Sequence, residues 1–284
     1  MNNSFWHRAQ NINPKILYVI AMVVIAVPLL NPRTTLPISP NSQTKKAFDA
    51  VESAVKANPN QLVILDCQWS ASTRGENQFQ TEAIMEHLMR LHAKFALMGF
   101  VPQSRILSQK IADRLAPKYG YRYGIDYINW GFKPAFEQTL KGMAVDIPGT
   151  LKEDATHKPL VSFPIMRDVK NFKDVSLIVE VTPSSTLDSW LGLVQGINHT
   201  PVVYAPTAVM APEGYPFLDS GQISGIITGV AGAGDYEALL KTKGSATQVA
   251  TSLSAVYALI IFLIIIGNVG YYASRAAERK GFAE

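Results

Sequence analysis

The run Leu62-Val-Ile-Leu65, followed by Asp66-Cys-Gln-Trp-Ser70-Ala-Ser72, decides how the middle of this chain folds. Four apolar residues between the turn signal Asn58-Pro-Asn-Gln61 and a polar segment are too few for a helix. They match a strand buried on both faces, the kind found in parallel sheets. Outward from it, helix and strand signals alternate. Thr44 to Ala57 reads as a helix capped by Thr44, with Ala47, Phe48, Val51 and Val55 on one side. Thr81 to Phe95 repeats apolar residues every three and four positions. Ala96 to Val101 is a second strand, Gln103 to Ala116 a helix, and Tyr127 to Trp130 a third strand.

Pro134 to Met143 is a helix with proline in its first turn, and Val145 to Lys173 a long irregular connection. Val175 to Val181 is a clear strand, and Ser185 to Gly196 a helix whose Ser185-x-x-Asp188 resembles a capping box. Pro201 to Tyr204 and Ile223 to Thr228 are further strands, separated by a turn at Ala211 to Pro216. Alternation of this kind implies an α/β domain in three layers with a mostly parallel, Rossmann-like sheet. In such sheets ligands bind at the carboxyl ends of strands, which points to 66–72, 182–185 and the turn after Ile227.

Two apolar segments flank this domain. Gly244 to Ser274 carries no Asp, Glu, Lys or Arg, and Ser252 to Tyr272 supplies the roughly 20 apolar residues that a bilayer core needs. A buried core helix is the competing reading, disfavoured because core helices rarely run so far without a polar face. Ile16 to Leu30 is apolar apart from Tyr18 and Pro28, short for a span and compatible with a signal peptide. No small-x-small cleavage site follows it, which favours a retained anchor. The expected organisation is a tail at 1–15, a first transmembrane helix at 16–31, a proline-rich extended stalk at 32–43, the α/β domain at 44–243, a second transmembrane helix at 249–273 and a tail at 274–284. The lipid bilayer is therefore the first expected partner.

The formal net charge is +4, yet Lys45 to Lys243 balances 20 Lys and Arg against 20 Asp and Glu. The excess lies at the ends, beside the apolar segments, which fits a membrane surface and argues against nucleic acid. By the positive-inside rule the basic tails, with Arg8, Lys15, Arg275, Arg279 and Lys280, lie in the cytoplasm and the domain lies outside. Cys67 is the single cysteine, so no intrachain disulfide forms, and an apolar strand pattern makes it a small buried hydrophobe.

The candidate chemistry is sparse. Asp66 with Ser70 and Ser72 approaches an adhesion-type metal motif but misses the Asp-x-Ser-x-Ser spacing by two residues, so a carboxylate satisfying turn N–H groups is expected there. Glu180 stands in an apolar strand; it is either a functional carboxylate or a residue at a sheet edge or strand end. Thr182 and Ser184 lie at that strand's carboxyl end. Gly229-Val-Ala-Gly232-Ala-Gly234 reads as a turn whose N–H groups could bind a ligand, although its spacing matches no phosphate-binding motif and Asp235 as a helix cap explains it better. His87 and His92, five apart on a helix, are poorly placed to share a metal, while Glu82, Glu86 and Arg90 read as a solvated face. No catalytic elbow, zinc spacing or cofactor fingerprint is present, and neither a metal nor a cofactor is expected.

The segments Tyr123-Gly-Ile-Asp-Tyr-Ile-Asn-Trp-Gly-Phe-Lys-Pro134 and Tyr215-Pro-Phe-Leu-Asp-Ser-Gly-Gln-Ile-Ser-Gly-Ile226, running on to Gly232-Ala-Gly-Asp-Tyr-Glu237, resemble a family of uncharacterised prokaryotic membrane proteins. The resemblance implies an N-terminal anchor, a mid-sized α/β domain and a C-terminal span, and no activity or site residue. With the missing chemistry, the expected role is a non-enzymatic structural or assembly subunit of a membrane complex. Its second helix, with Gly267 and Gly270-x-x-x-Ser274, and its α/β domain would meet homo- or hetero-oligomeric partners. The alternative is an extracytoplasmic hydrolase or small-molecule-binding domain that uses the crevice at the strand ends.

Overall fold

The apolar runs become six parallel strands: β1 Leu62–Cys67, β2 Phe95–Gly99, β3 Tyr127–Phe132, β4 Val175–Thr182, β5 Val202–Pro206 and β6 Gly225–Ile226. The computed structural model describes residues 12–281; Arg8 and the first eleven residues, with which the basic N-terminal tail was expected, lie outside that range, as do 282–284. Strand order is β3-β2-β1-β4-β5-β6, a doubly wound sheet that reverses direction between β1 and β4. Residues 38–242 form one compact unit around this sheet, and the described residues 12–37 with 243–281 form the other.

Helices cover both faces of the sheet, as parallel pairing requires. Val63, Leu65, Leu177 and Val179 pack with α2 (Ser42–Ala57), α3 (Arg74–Arg90), α4 (Ser104–Tyr119) and α9 (Gly229–Leu239). Ile64, Ile178, Trp130 and Tyr204 pack on the other side with α5 (Phe136–Val145), α6 (Ile147–Leu151) and α7. Helix α7 starts at Leu187–Trp190, widens into a π turn at Leu191–Gln195 and closes at Gly196–Asn198. Helix α8, Ala211–Asp219, occupies the stretch read as a turn; Pro212 fits because a first-turn N–H needs no partner.

Other boundaries also moved. Asn41, rather than Thr44, caps α2, accepting from the Thr44 N–H at 2.7 Å, and Thr44 is buried within the helix. Helix α5 begins two residues after Pro134, behind Ala135 at φ 54°. The 145–173 connection holds α6 and three 3₁₀ turns, and its Leu160, Ile165, Met166 and Phe172 belong to the core rather than to a loop. The glycine-rich segment is the first half of α9, not a turn, so Asp235 lies mid-helix, where its carboxylate accepts from Asn41 N and Nδ2 at 3.2 and 2.6 Å. Ser185 does not cap α7; its hydroxyl donates to Glu213 at 2.6 Å. Glu82 and Glu86 are not merely solvated, because they pair with Arg114 and with Arg90 and Lys118, tying α3 to α4.

In the other unit, α1 (Pro14–Leu30) packs along α10 (Ser245–Gly281). One helix in the described residues, over Ser245–Arg275, is long and apolar enough to cross a membrane; α1 is shorter, about 26 Å at 1.5 Å per residue. Only 11 % of the most apolar window of α10 is buried, which argues against the core-helix reading, and Ile261 and Phe262 are more than half exposed. The helix ends meet through Ser252, whose hydroxyl donates to Ile25 O at 3.1 Å. The proline-rich segment is not simply an extended stalk: Pro32–Thr34 is a 3₁₀ turn, and Leu36 N donates to Thr251 Oγ1 on α10 at 3.2 Å.

Candidate functional site at the strand switch

Chain reversal in the sheet places the loops after β1 and β4 back to back, and the last side chains of both strands lie beneath them. Alternation along β1 sends Leu65 and Cys67 to the α3 face and Asp66 to the α7 face; on β4, Val179 and Val181 go one way and Glu180 the other. Asp66 and Glu180 are register partners, both fully buried. Glu180 is thus neither at a sheet edge nor at a strand end; β1 and β5 flank it on either side. Tyr204 is its register partner on β5 and is equally buried.

Side chains, not turn N–H groups, hold the two carboxyls, because Asp66 still lies within the strand. Gln68 Nε2 donates to Asp66 Oδ2 at 2.6 Å and reaches Glu180 Oε1 at 3.4 Å. Trp190 Nε1 donates to the same Asp66 oxygen at 3.0 Å, and Thr186 Oγ1 donates to Glu180 Oε1 at 2.5 Å. Trp190 is fixed edge-on by Phe136 and Phe172 and stands one residue before the π turn, a distortion common at functional sites. The other oxygens, Asp66 Oδ1 and Glu180 Oε2, have no hydrogen-bond partner, nor does the Tyr204 hydroxyl.

Burial sets the electrostatics. Loss of water pushes the Asp66 carboxyl up to about 7, against the pull of the Gln68 and Trp190 donors. Glu180 rises well above the usual carboxylate range, first through burial and then through the charge of Asp66, with Glu213 and Asp188 adding to it. Burial also raises the Tyr204 phenol, with Glu180 the leading neighbouring charge, and pushes the Cys67 thiol up on the far face. Burial thus disfavours the ionised form of both carboxyls.

The remaining sequence candidates divide between rim and scaffold. Ser70 and Ser72 bond each other at 2.8 Å in the turn after β1, and Ser72 is exposed. Thr182 is buried and its hydroxyl accepts from Ser184 N at 3.0 Å, while Ser184 lies exposed at the rim. Thr182 ends β4, and the other three follow β1 or β4 in the chain. Gly232 and Gly234 are buried in α9 and not part of the rim; a Cβ on Gly232 would crowd the Ile227 backbone at 2.9 Å, so close packing demands the glycine. The α9 N-terminus is no phosphate site either. A Cβ on Gly229 would collide with the Glu76 carboxylate, which already accepts from Ala208 N at 2.7 Å.

His87 is buried, stacked on Phe48 and bonded through Nδ1 to the Tyr236 hydroxyl at 2.7 Å. Among the described residues, no group of three or more His, Cys, Asp or Glu side chains is placed to hold a metal ion. A surface cleft of about 530 Å³ opens elsewhere, lined by Arg105, Gln109, Tyr123, Tyr127, Asn129 and Thr156. Its walls are satisfied by one another: Asn129 Nδ2 donates to Arg105 O and Gln109 Oε1, and Tyr123 donates to Asp154. At the strand switch, by contrast, Asp66, Glu180 and Tyr204 each keep a buried oxygen without a partner. Sequence reading missed Gln68, Thr186, Trp190 and Tyr204; only the polar Gln68 two residues beyond Asp66, on the same side of the strand, gave a signal.

The chain matches no protein-family model, no curated protein and no solved structure.

Proposed function

We propose that this chain is a non-enzymatic, membrane-anchored subunit in which α1 and α10 together cross the bilayer and tether the α/β domain for assembly with other membrane components. The observation that carries this reading is the α1–α10 pair: two apolar helices fastened at one end by Ser252 to Ile25, with large apolar side chains still exposed on both. Such a surface is stable in lipid or against further helices and unfavourable in water. Alone, α1 is short; paired with α10 it can cross a thinner bilayer or draw the bilayer in. Gly267 on α10 leaves open space where a Cβ would be, which gives a second helix room to approach. Both tails are then cytoplasmic and the domain extracytoplasmic. Blue-native electrophoresis of mild detergent extracts tests the assembly role: migration as a complex supports it, and a strictly monomeric particle counts against it.

A second reading, a small-molecule-binding or hydrolytic domain at the strand-end crevice, has one specific observation in its favour. Asp66 and Glu180 are two buried carboxyls, both with ionisation disfavoured, at the switch point, the place where doubly wound sheets bind ligands. A metabolite panel that gives no thermal shift counts against that reading.

A further inference from the structure

Asn268 stands in the apolar run of α10 with a carboxamide that the chain itself only half satisfies. Its Nδ2 donates to Ile264 O, one turn back, at 2.8 Å, and among the described residues its second N–H and its Oδ1 meet no partner. Arg275 is the first charge after the run, and at 1.5 Å per residue Asn268 lies about 10 Å inside it along the helix. With α10 across a bilayer, that depth is hydrocarbon. Lipid tails offer no hydrogen bond, so an amide there gains by meeting another polar group.

The neighbours of Asn268 say from which side that group comes. Tyr257, Ile261, Ile264, Asn268 and Tyr271 follow one another at intervals of four, three, four and three, the heptad spacing of a helix–helix seam, and all five are exposed. Leu259, Leu263 and Gly270 lie on the opposite side of the helix and are half or fully buried. The seam is therefore not taken by α1, and the Gly270-x-x-x-Ser274 motif does not belong to it.

We propose that a second copy of this chain occupies the seam, its α10 parallel to the first, with the two Asn268 carboxamides bonded to each other across a two-fold axis. The inference rests on the membrane-spanning reading above and names the partner. Two arguments select a copy over another helix. Copies inserted with the same topology are parallel, so around a two-fold axis each seam residue meets its own counterpart at the same depth. A carboxamide is also its own complement: the free N–H of one donates to the Oδ1 of the other, and the reverse, which satisfies both unmet groups of each chain at once. A single Asn in such a seam fixes register and oligomer state in parallel coiled coils. Arg275, seven residues on, is exposed and donates to the Tyr271 hydroxyl at 3.3 Å. Facing its counterpart beyond the apolar run, it is screened by water and lipid headgroups.

The test uses the full-length chain. In native membranes under mild oxidation, Ile261→Cys, on the seam, should form an interchain disulfide, and Leu263→Cys, on the covered side, should not. Cys67 is buried, so the wild type should give none. For purified protein, sedimentation equilibrium across a dilution series in density-matched micelles should show a dimer whose dissociation constant Asn268→Ala raises about three- to thirtyfold. Asn268→Gln, which keeps an amide, should lose less, and Val269→Ala, one residue off the seam, should change nothing. No disulfide at position 261, or an Asn268→Ala chain that associates as tightly as wild type, overturns the proposal. So does a purified chain that is monomeric in micelles while native extracts carry it in a larger complex, in which case the subunit reading stands with a different partner. Release of the chain from membranes by alkaline carbonate would sink both.

Discussion

Asp66 and Glu180 face each other across the central β1–β4 pairing, and a single amide, that of Gln68, reaches both carboxyl groups, at 2.6 and 3.4 Å. Two acids in register with no cation beside them oppose ionisation of the folded state. The first prediction concerns how that opposition varies with pH.

The folded-state value for Asp66 lies near 7, above its ordinary 3.8, so between those values the folded chain holds a proton that the unfolded chain releases. Stability is then fully present below about pH 4 and is lost as pH rises toward 7. Glu180 shifts in the same direction. Asp66→Asn should flatten this dependence and raise stability at pH 8 by about 1–4 kcal/mol. Urea denaturation at pH 5 and pH 8 for both proteins reads it directly; an unchanged difference between the two pH values contradicts the burial argument.

His87 gives the opposite sign. Burial lowers its imidazole to about 4, outweighing the Glu52 carboxylate 3.8 Å from Nε2. The folded state therefore keeps it neutral where the unfolded state charges it. Stability from this group is complete above about pH 6.5 and lost as pH falls toward 4, by up to about 3 kcal/mol. An NMR titration of the ring protons should place the midpoint well below that of a free histidine; a midpoint near 6.5 refutes the assignment.

Gln80 pins α3 to the ends of two strands: its buried amide donates to Pro206 O and to Ile227 O, each at 2.7 Å. Gln80→Leu keeps the bulk but leaves two carbonyls unpaired, and should cost about 2–4 kcal/mol. Chemical denaturation measures the loss, and a cost under about 0.5 kcal/mol would show that those carbonyls find other donors.

Gly225 is set by contact rather than by conformation. A methyl there would overlap the Ala47 backbone of α2, where that helix presses on β6. Gly225→Ala should destabilise the domain by about 3 kcal/mol, visible as a lower Tm.

Much of this fold was legible because central parallel strands are apolar on both faces. Leu62 to Leu65 and Val175 to Val179 announce themselves for that reason. Glycine and proline misled where packing overrode propensity. Gly229 to Gly234 form a helix because only a side chain without Cβ lets α9 lie against Ile227, and Pro212 begins a helix instead of a turn. The candidate site was half visible: Asp66 and Glu180 stood out as acids in apolar runs. Their pairing depends on strand register, Trp190 meets Asp66 from 124 residues away, and Thr186 folds back onto Glu180 from the loop after β4, so no local pattern marks the site.

The most direct test of the anchoring claim is a pair of compartment-sensitive reporter fusions, one following Gln43 and one at the C-terminus of the full chain. With α1 and α10 both crossing the bilayer, the two reporters should be active in opposite compartments. Activity of both on the same side contradicts the two-pass anchor and the subunit role built on it.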